Sequence, residues 1–554
     1  MRKGSVVSLF VLLMMPAVAY EATAQTPGTC PRTRGEAYLD VNNVRARILN
    51  NGGLFWRGEP HVYEVPKGGG THAIFASGIW IAGLIEGEIR AAGARYGEWE
   101  FWAGPLDNDG NPPNDCLRYD RLWEITRKEI AAFNETGVAT KNLLDWPWRL
   151  GAPVIDGDGL PNNYNLDGGD RPALIGDQMI WWVMNDVGGE HLSIDTQPIG
   201  MEVHGTAFAF HRPGSYIDNV TFYRYQLIHK GREPFEDAYF SIYADPDLGY
   251  FADDYVASDS TLHLGYVYNA DNLDEDCGYG AAPPALGYTF LRSALADADG
   301  RDNDRDDIAD EPGEQIGMSS FLNFGDGGCV ICSPLKAQDY YYYMQARWKN
   351  GQPLTVGGNY GLDFSDIPTH FSFPGDPMTG AFWSEFNTDG QGTAKPPGDR
   401  HFLISTGPFT LQPGQAQEIL FAIVWSRGTD HLDSVRQLKK DVKRLREVAD
   451  AILVPDVPAK APDPVPEPVL GFAQNYPNPF NETTTIRYSV PLEMAVRLRV
   501  YDVLGREITT LVDERLRPGI YTADFDGAAL PGGLYVYRIE MAHLTFTRRM
   551  MLAR

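Results

Sequence analysis

Hydrophobic positions along this chain alternate with polar ones far more often than they recur at helical spacing. Val220 to Lys230 and Asp237 to Ala244 are aromatic and β-branched runs joined by a short polar loop, which predicts a β-hairpin. Phe402 to Ser405, Phe409 to Leu411 and Glu418 to Trp425 predict further sandwich strands around a turn at Gln412-Pro413-Gly414. One segment departs from period two. Leu432, Val435, Leu438, Val442, Leu445, Val448 and Ile452 keep the 3–4 spacing of an amphipathic stripe, with Lys and Arg on the other face. This predicts a helix over about residues 430–453 that packs against the domain before it. Thr126 and Glu129 carry the signature of a capping box opening one short helix. Trp181-Trp182 and Tyr340 to Tyr343 are expected to pack in the core or along an edge strand. No internal repeat is visible.

The fold class expected from these patterns is mainly β. A large antiparallel β-sandwich-type region with long loops and one C-terminal helix precedes a Pro-rich linker and a small immunoglobulin-like β-sandwich. The first boundary is a leader. Arg2 and Lys3 precede an apolar run from Val6 to Ala19, and Ala22-Thr23-Ala24 offers a small-x-small cleavage site before Gln25, so residues 1–24 read as a secretory signal peptide. The run is shorter than the ~20 apolar residues that span a bilayer. Residues 25–35 form an N-terminal extension, and residues 36–453 form the β-rich region, as one domain or two. Val454 to Val469 has Pro at nearly every second or third place and reads as an extended spacer, leaving residues 470–554 as a separate C-terminal domain.

Composition agrees with a loop-rich β protein: 58 Gly and 39 Pro in 554 residues supply turns throughout. The chain has 74 acidic and 47 basic side chains, a net charge of −27, with the excess acid between the leader and the C-terminal domain. That balance excludes nucleic acid as the main partner and makes calcium the counter-ion to consider. The five cysteines, Cys30, Cys116, Cys277, Cys329 and Cys332, lie beyond the leader and enter an oxidising compartment, where disulfides are the default. Cys329 and Cys332 form a lone CxxC, read as a structural disulfide rather than a zinc or redox site.

The C-terminal motifs are specific. Asn475 to Asn481 read NYPNPFN, Thr483 to Val490 read TTTIRYSV, and Leu498 to Glu507 read LRVYDVLGRE. Gly532 to Ile539 then read GGLYVYRI, and Thr547 to Leu552 read TRRMML. Residues 470–554 resemble the C-terminal (type A) sorting domain of type IX secretion substrates. The resemblance implies transit through the periplasm, passage across the outer membrane by the type IX machinery, and removal of the domain by a sortase-like protease. Release, or attachment to surface lipopolysaccharide, would follow. Stretches such as Ile175 to Asp186 (IGDQMIWWVMND) and Asp245 to Val256 (DPDLGYFADDYV) are similar to N-terminal portions of other large secreted proteins of such bacteria, a likeness that carries no activity.

Candidate chemistry is acidic. Asp302, Asp304 and Asp306 alternate, and Asp310 and Glu311 can complete a 6–8 oxygen shell around calcium, in a pattern similar to DxDxDG loops but with Asp307 where Gly is usual. A solvated acidic turn is the other reading. Asp107, Asp109 and Asn111 form a weaker copy, as do Asp156 and Asp158 with Asn163, Asp167 and Asp170 after them. Asp245, Asp247, Asp253 and Asp254 are the candidate catalytic carboxylates, since glycoside hydrolysis needs two carboxyls about 5–10 Å apart. No HExxH, GxSxG or P-loop pattern appears. The leading expectation is a calcium-stabilised, secreted or cell-surface protein that binds a glycan or protein or serves as surface structure. The alternative is a secreted polysaccharide hydrolase built on Asp245 to Asp254.

Overall fold

A computed structural model describes residues 29–553 except 59, 61, 161, 276–277, 299, 303–308, 311–312, 456–471, 491–492, 518 and 542–543. The chain divides into two compact units that part at Val457. The larger unit is an antiparallel β-sandwich. Its first sheet runs in the order Glu36–Leu39, Arg45–Leu49, Gly53–Leu54, Ala76–Ile85, Phe235–Asp245, His401–Leu411 and Ser320–Phe324. Its second runs Asp254–Asp259, Leu264–Asn269, Ala285–Arg292, Ala416–Ser426, Val220–His229, Met201–Ala209, Gln178–Asn185 and Trp102–Ala103. Most central strands are buried on both faces, which is why they read as continuous aromatic and β-branched runs.

The two sheets meet through aromatic rings. Tyr223 lies 6.0 Å from Phe55, Tyr225 5.8 Å from Phe240, and Tyr288 5.6 Å from Phe402, measured between ring centroids. This packing corrects the predicted hairpin. Val220–His229 and Phe235–Asp245 are consecutive but belong to opposite sheets, so the polar loop between them crosses the sandwich. His401–Leu411 and Ala416–Ser426 cross in the same way. The runs were legible as strands, but each has its long-range partners elsewhere, and alternation alone does not say which strand lies opposite.

The helices follow their sequence signals. His431–Ile452 is a single helix capped by Asp430, whose side chain accepts from the backbone N–H of Asp433. It buries Val435, Leu438, Val442 and Leu445 against the second sheet. Thr126 forms both arms of the capping box with Glu129 and opens the helix Arg127–Thr136. The tyrosine run is the exception to an edge-strand reading. Ala337–Met344 is a helix that buries Tyr340, Tyr341 and Tyr343.

The C-terminal unit is a small sandwich of two antiparallel sheets. One pairs Thr483–Val490 with Gly519–Asp526, and the other runs Glu507–Leu516, Met494–Tyr501, Gly533–Met541 and Leu544–Leu552. Ile486, Val490, Leu498, Val500, Tyr537, Ile539 and Met541 fill the space between them.

Close packing leaves several strand positions in the larger unit without room for a side chain, Gly78, Gly205 and Gly265 among them. Gly205 sits directly opposite Trp182, and a β-carbon placed on it would lie 2.1 Å from the buried indole. Gly205→Ala should therefore destabilise the larger unit by about 1–3 kcal/mol, the usual cost of overpacking. A thermal melt unchanged by this substitution would show that the indole moves aside freely.

Candidate functional site

The acidic loop after Val154–Ile155 folds back on itself. Gly157 permits this, since a β-carbon there would stand 2.3 Å from the backbone of Gly169. Asp170 is buried and accepts from Gly157 N at 2.9 Å and Asn165 N at 2.6 Å. Asp158 accepts from Leu160 N at 2.9 Å and from the side-chain amides of Asn163 and Asn165 at 3.1 and 3.2 Å. These bonds, the Leu160 N–H first, hold the Asp158 carboxyl below its ordinary range, so it is ionised at neutral pH. Asp156, Asp158 and Asp170 bring ligand oxygens within 4.8 Å of one another. Beside them opens a cavity of about 550 Å³, lined by Trp148, Arg149, Asp156, Asn162, Asn163 and Asp170. From sequence alone this loop is a weaker candidate than the one at Asp302.

The remaining predicted positions fall out differently. Asp107 spends its oxygens on Asp109 N, Asn111 N and the Asn111 side chain, closing a turn. Asp310 accepts from Gly300 N at 3.0 Å, and its own N–H donates to Glu314 at 2.9 Å. Asp304, Asp306 and Glu311 lie outside the described residues, as does the rest of the stretch 303–308 after Asp302. Cys30 is bonded to Cys116, with 5.6 Å between their α-carbons, and Cys329 to Cys332, with 4.9 Å. Cys277 lies outside the described residues.

The four candidate catalytic carboxylates separate into two groups. Asp254 is 1% exposed and accepts from Leu248 N at 3.0 Å, while its other oxygen finds no hydrogen-bond partner. Asp253 accepts from the Asn269 side chain at 2.7 Å. Burial, opposed by that bond and reinforced by Asp274 and Glu275, pushes the Asp253 carboxyl up to about 7. Burial and the charges of Asp253, Asp247 and Asp274 also raise Asp254 well above the usual carboxylate range.

Asp245 instead faces residues that sequence reading passed over. It accepts from the Tyr96 hydroxyl at 2.9 Å and lies 3.4 Å from His401 Nε2, which is 3.7 Å from Asp399. Burial opposes a charge on His401, but close contact with Asp245 and the charges of Asp245, Asp399 and Asp326 outweigh it and hold its pKa at about 9. The sequence signal was slight: Asp399 and His401 alternate across Arg400, where a strand begins. Behind them, Glu385 is shared by Lys395 at 3.3 Å and Arg400 at 3.1 Å, both buried. Burial pulls Lys395 down to about 8.

In the C-terminal unit the NYPNPFN segment ties down the last strand. Asn475 is buried, donates its backbone N–H to the Tyr537 hydroxyl at 2.8 Å and its side-chain amide to Thr484 at 2.9 Å. Asn478 accepts from Met551 N at 2.9 Å, and Phe480 N donates to the Met551 carbonyl at 2.9 Å. Comparison with known proteins agrees. Residues 474–553 match the family described as the secretion system C-terminal sorting domain. That supports a substrate of type IX secretion, exported to the cell surface or the medium. The match covers the small unit only, and no curated protein matches the chain. Among solved structures, a polysaccharide lyase is similar over 72% of this chain and 38% of its own, at 8% identity and a TM-score of 0.18. This chain thus spans about two fifths of that structure, and a likeness of that degree transfers neither fold nor chemistry.

Asp253 gives a pH signature. Its folded pKa of about 7 exceeds the unfolded value of about 3.9. The folded state therefore holds an extra proton between these values, and stability falls as pH rises through that window. Asp253→Asn should flatten this slope and raise the melting temperature near pH 8 by about 1 °C per kcal/mol recovered, the ratio expected for a unit of this size. Identical pH–melting profiles for the two proteins would refute the assignment.

Proposed function

We propose that the protein is delivered by type IX secretion as a calcium-stabilised binding protein, whose ligand is a glycan held beside Asp156, Asp158 and Asp170. In this reading a sortase-like protease removes the sorting domain, and the β-rich region is released or joined to surface lipopolysaccharide. The observation that carries the binding role is the meeting of two features: three carboxylates with oxygens within 4.8 Å, and a cavity lined by Trp148 and the amides of Asn162 and Asn163. Carboxylate and amide oxygens suit a hard cation such as calcium. A half-buried indole with polar neighbours suits a sugar ring.

Extracellular calcium modules bind with dissociation constants near 10⁻⁴–10⁻³ M. Calcium about tenfold above that constant should add roughly 1.4 kcal/mol by linkage. A melting temperature that rises with calcium, with a smaller rise in Asp158→Asn, is the expected result. A glycan array should then report calcium-dependent binding that Trp148→Ala removes. Curves indifferent to calcium, or equal in the two proteins, would remove the cage from the argument.

A second reading, a secreted polysaccharide hydrolase on the Asp245 to Asp254 segment, draws support from Asp253. A carboxyl raised to about 7 keeps the proton that a general acid must donate at neutral pH. A polysaccharide substrate panel distinguishes the readings: turnover lost in Asp253→Asn favours the hydrolase, and its absence favours binding.

Export gives a separate test. Deleting residues 470–554 should retain the protein in the periplasm, as fractionation and surface proteolysis would show. Normal surface display of the truncated chain would overturn the type IX assignment.

A further inference from the structure

Three neighbouring strands of the first sheet end at one point. Asp245 closes Phe235–Asp245, His401 opens His401–Leu411, and Asp326 follows Ser320–Phe324. The register sets Ala244 opposite Phe402 and Phe324 opposite His401, so side chains from all three strands reach the same place. Tyr96, two residues beyond Ala94 on the strand Glu88–Arg95, adds its hydroxyl from the same end. We propose that Asp245, Asp399 and His401 bind a divalent first-row transition ion of the zinc type.

Distances carry the argument. His401 Nε2 lies 3.4 Å from Asp245 Oδ1 and 3.7 Å from Asp399 Oδ1. Both are longer than an N–H···O hydrogen bond. They are close to the roughly 3.3–3.4 Å that separates two ligands each about 2.0–2.1 Å from a tetrahedral zinc. One ligand atom from each residue falls within 4.8 Å of the other two.

The imidazole provides a second, independent sign. His401 is 3% exposed, and its Nδ1 has no hydrogen-bond partner. The group facing that nitrogen is Asp326, with Oδ1 at 3.9 Å. A ligating histidine commonly turns its other nitrogen toward a carboxylate, which fixes the tautomer and raises the basicity of the metal-facing atom. Asp326 stands where that partner belongs. Tyr96 lies in the left-handed backbone region at φ 49°; its hydroxyl accepts from Tyr243 at 2.8 Å, donates to Asp245 at 2.9 Å and is hydrogen-bonded to His401 Nε2 at 3.1 Å, a bond that the ion would replace. A tyrosine takes that conformation at some cost, and here it closes the remaining side of the cluster. One imidazole among carboxylates favours zinc, manganese or iron over calcium, whose shell is built of oxygen alone. Asp399, 43% exposed, leaves a route to solvent for the ion.

The test uses the full-length protein, stripped with a chelator and titrated with cobalt(II). Visible d–d absorption that saturates and is displaced by zinc is expected. Asp399→Asn should weaken the apparent affinity at least about tenfold, and its exposed position spares the fold, which circular dichroism checks. Asp158→Asn should leave cobalt binding unchanged, which separates this site from the calcium cage. No absorption change up to millimolar cobalt, or equal affinity in the parent and Asp399→Asn, would overturn the proposal.

Discussion

Long loops on a β-sandwich carry backbone N–H groups that no strand can satisfy, and this protein satisfies them with carboxylates. Asp186 is fully buried and accepts from Ile199, Gly200 and Met201 N–H groups at 2.5–3.0 Å. Glu100 holds Ser193 and Ile194, Asp120 holds Arg34 and Gly35, and Asp274 holds Tyr250 and Tyr279. A hydrogen bond to a charged group is worth about 1.5–3 kcal/mol, and each such residue fixes two points of backbone at once. Burial charges a penalty in return. Desolvation raises the carboxyls of Asp186, Glu100 and Asp274 above their ordinary range.

The same device brings carboxylates close together. Carboxylates that pin loops are drawn to the sheet ends, where loops leave the strands, and some finish beside one another. Asp170 pins Gly157 and Asn165 and also faces Asp156 and Asp158. Asp254 pins Leu248 and feels the charges of Asp253, Asp247 and Asp274. Anchoring a loop and bringing carboxylates together are thus two results of one arrangement.

Much of the architecture was legible, because packing imposes period two on half-buried strands and period 3.6 on the helix His431–Ile452. The capping box at Thr126 depends only on neighbours in sequence and was equally plain. What escaped depends on distant residues. Nothing near Val220 reveals that its strand pairs with Met201–Ala209 and Ala416–Ser426 rather than with the next strand along. The cluster of Tyr96, Asp245, Asp399 and His401 joins residues from three separate parts of the chain, so no local spacing announces it. Sequence spacing does not separate an Asp that closes its own turn, as Asp107 does, from one that gathers with other carboxylates, as Asp170 does.

The crossing of consecutive strands between sheets also sets a timetable. Phe235–Asp245 pairs with Ala76–Ile85 on one side and His401–Leu411 on the other, so the centre of the first sheet closes only when segments roughly 150–180 residues apart have met. Pairings that distant are slow to form, because the entropy of loop closure is lost before any contact repays it. The small C-terminal unit draws all its strand partners from residues 483–552 and meets no such delay. Although it is synthesised last, the address label reaches its folded form ahead of the cargo it directs.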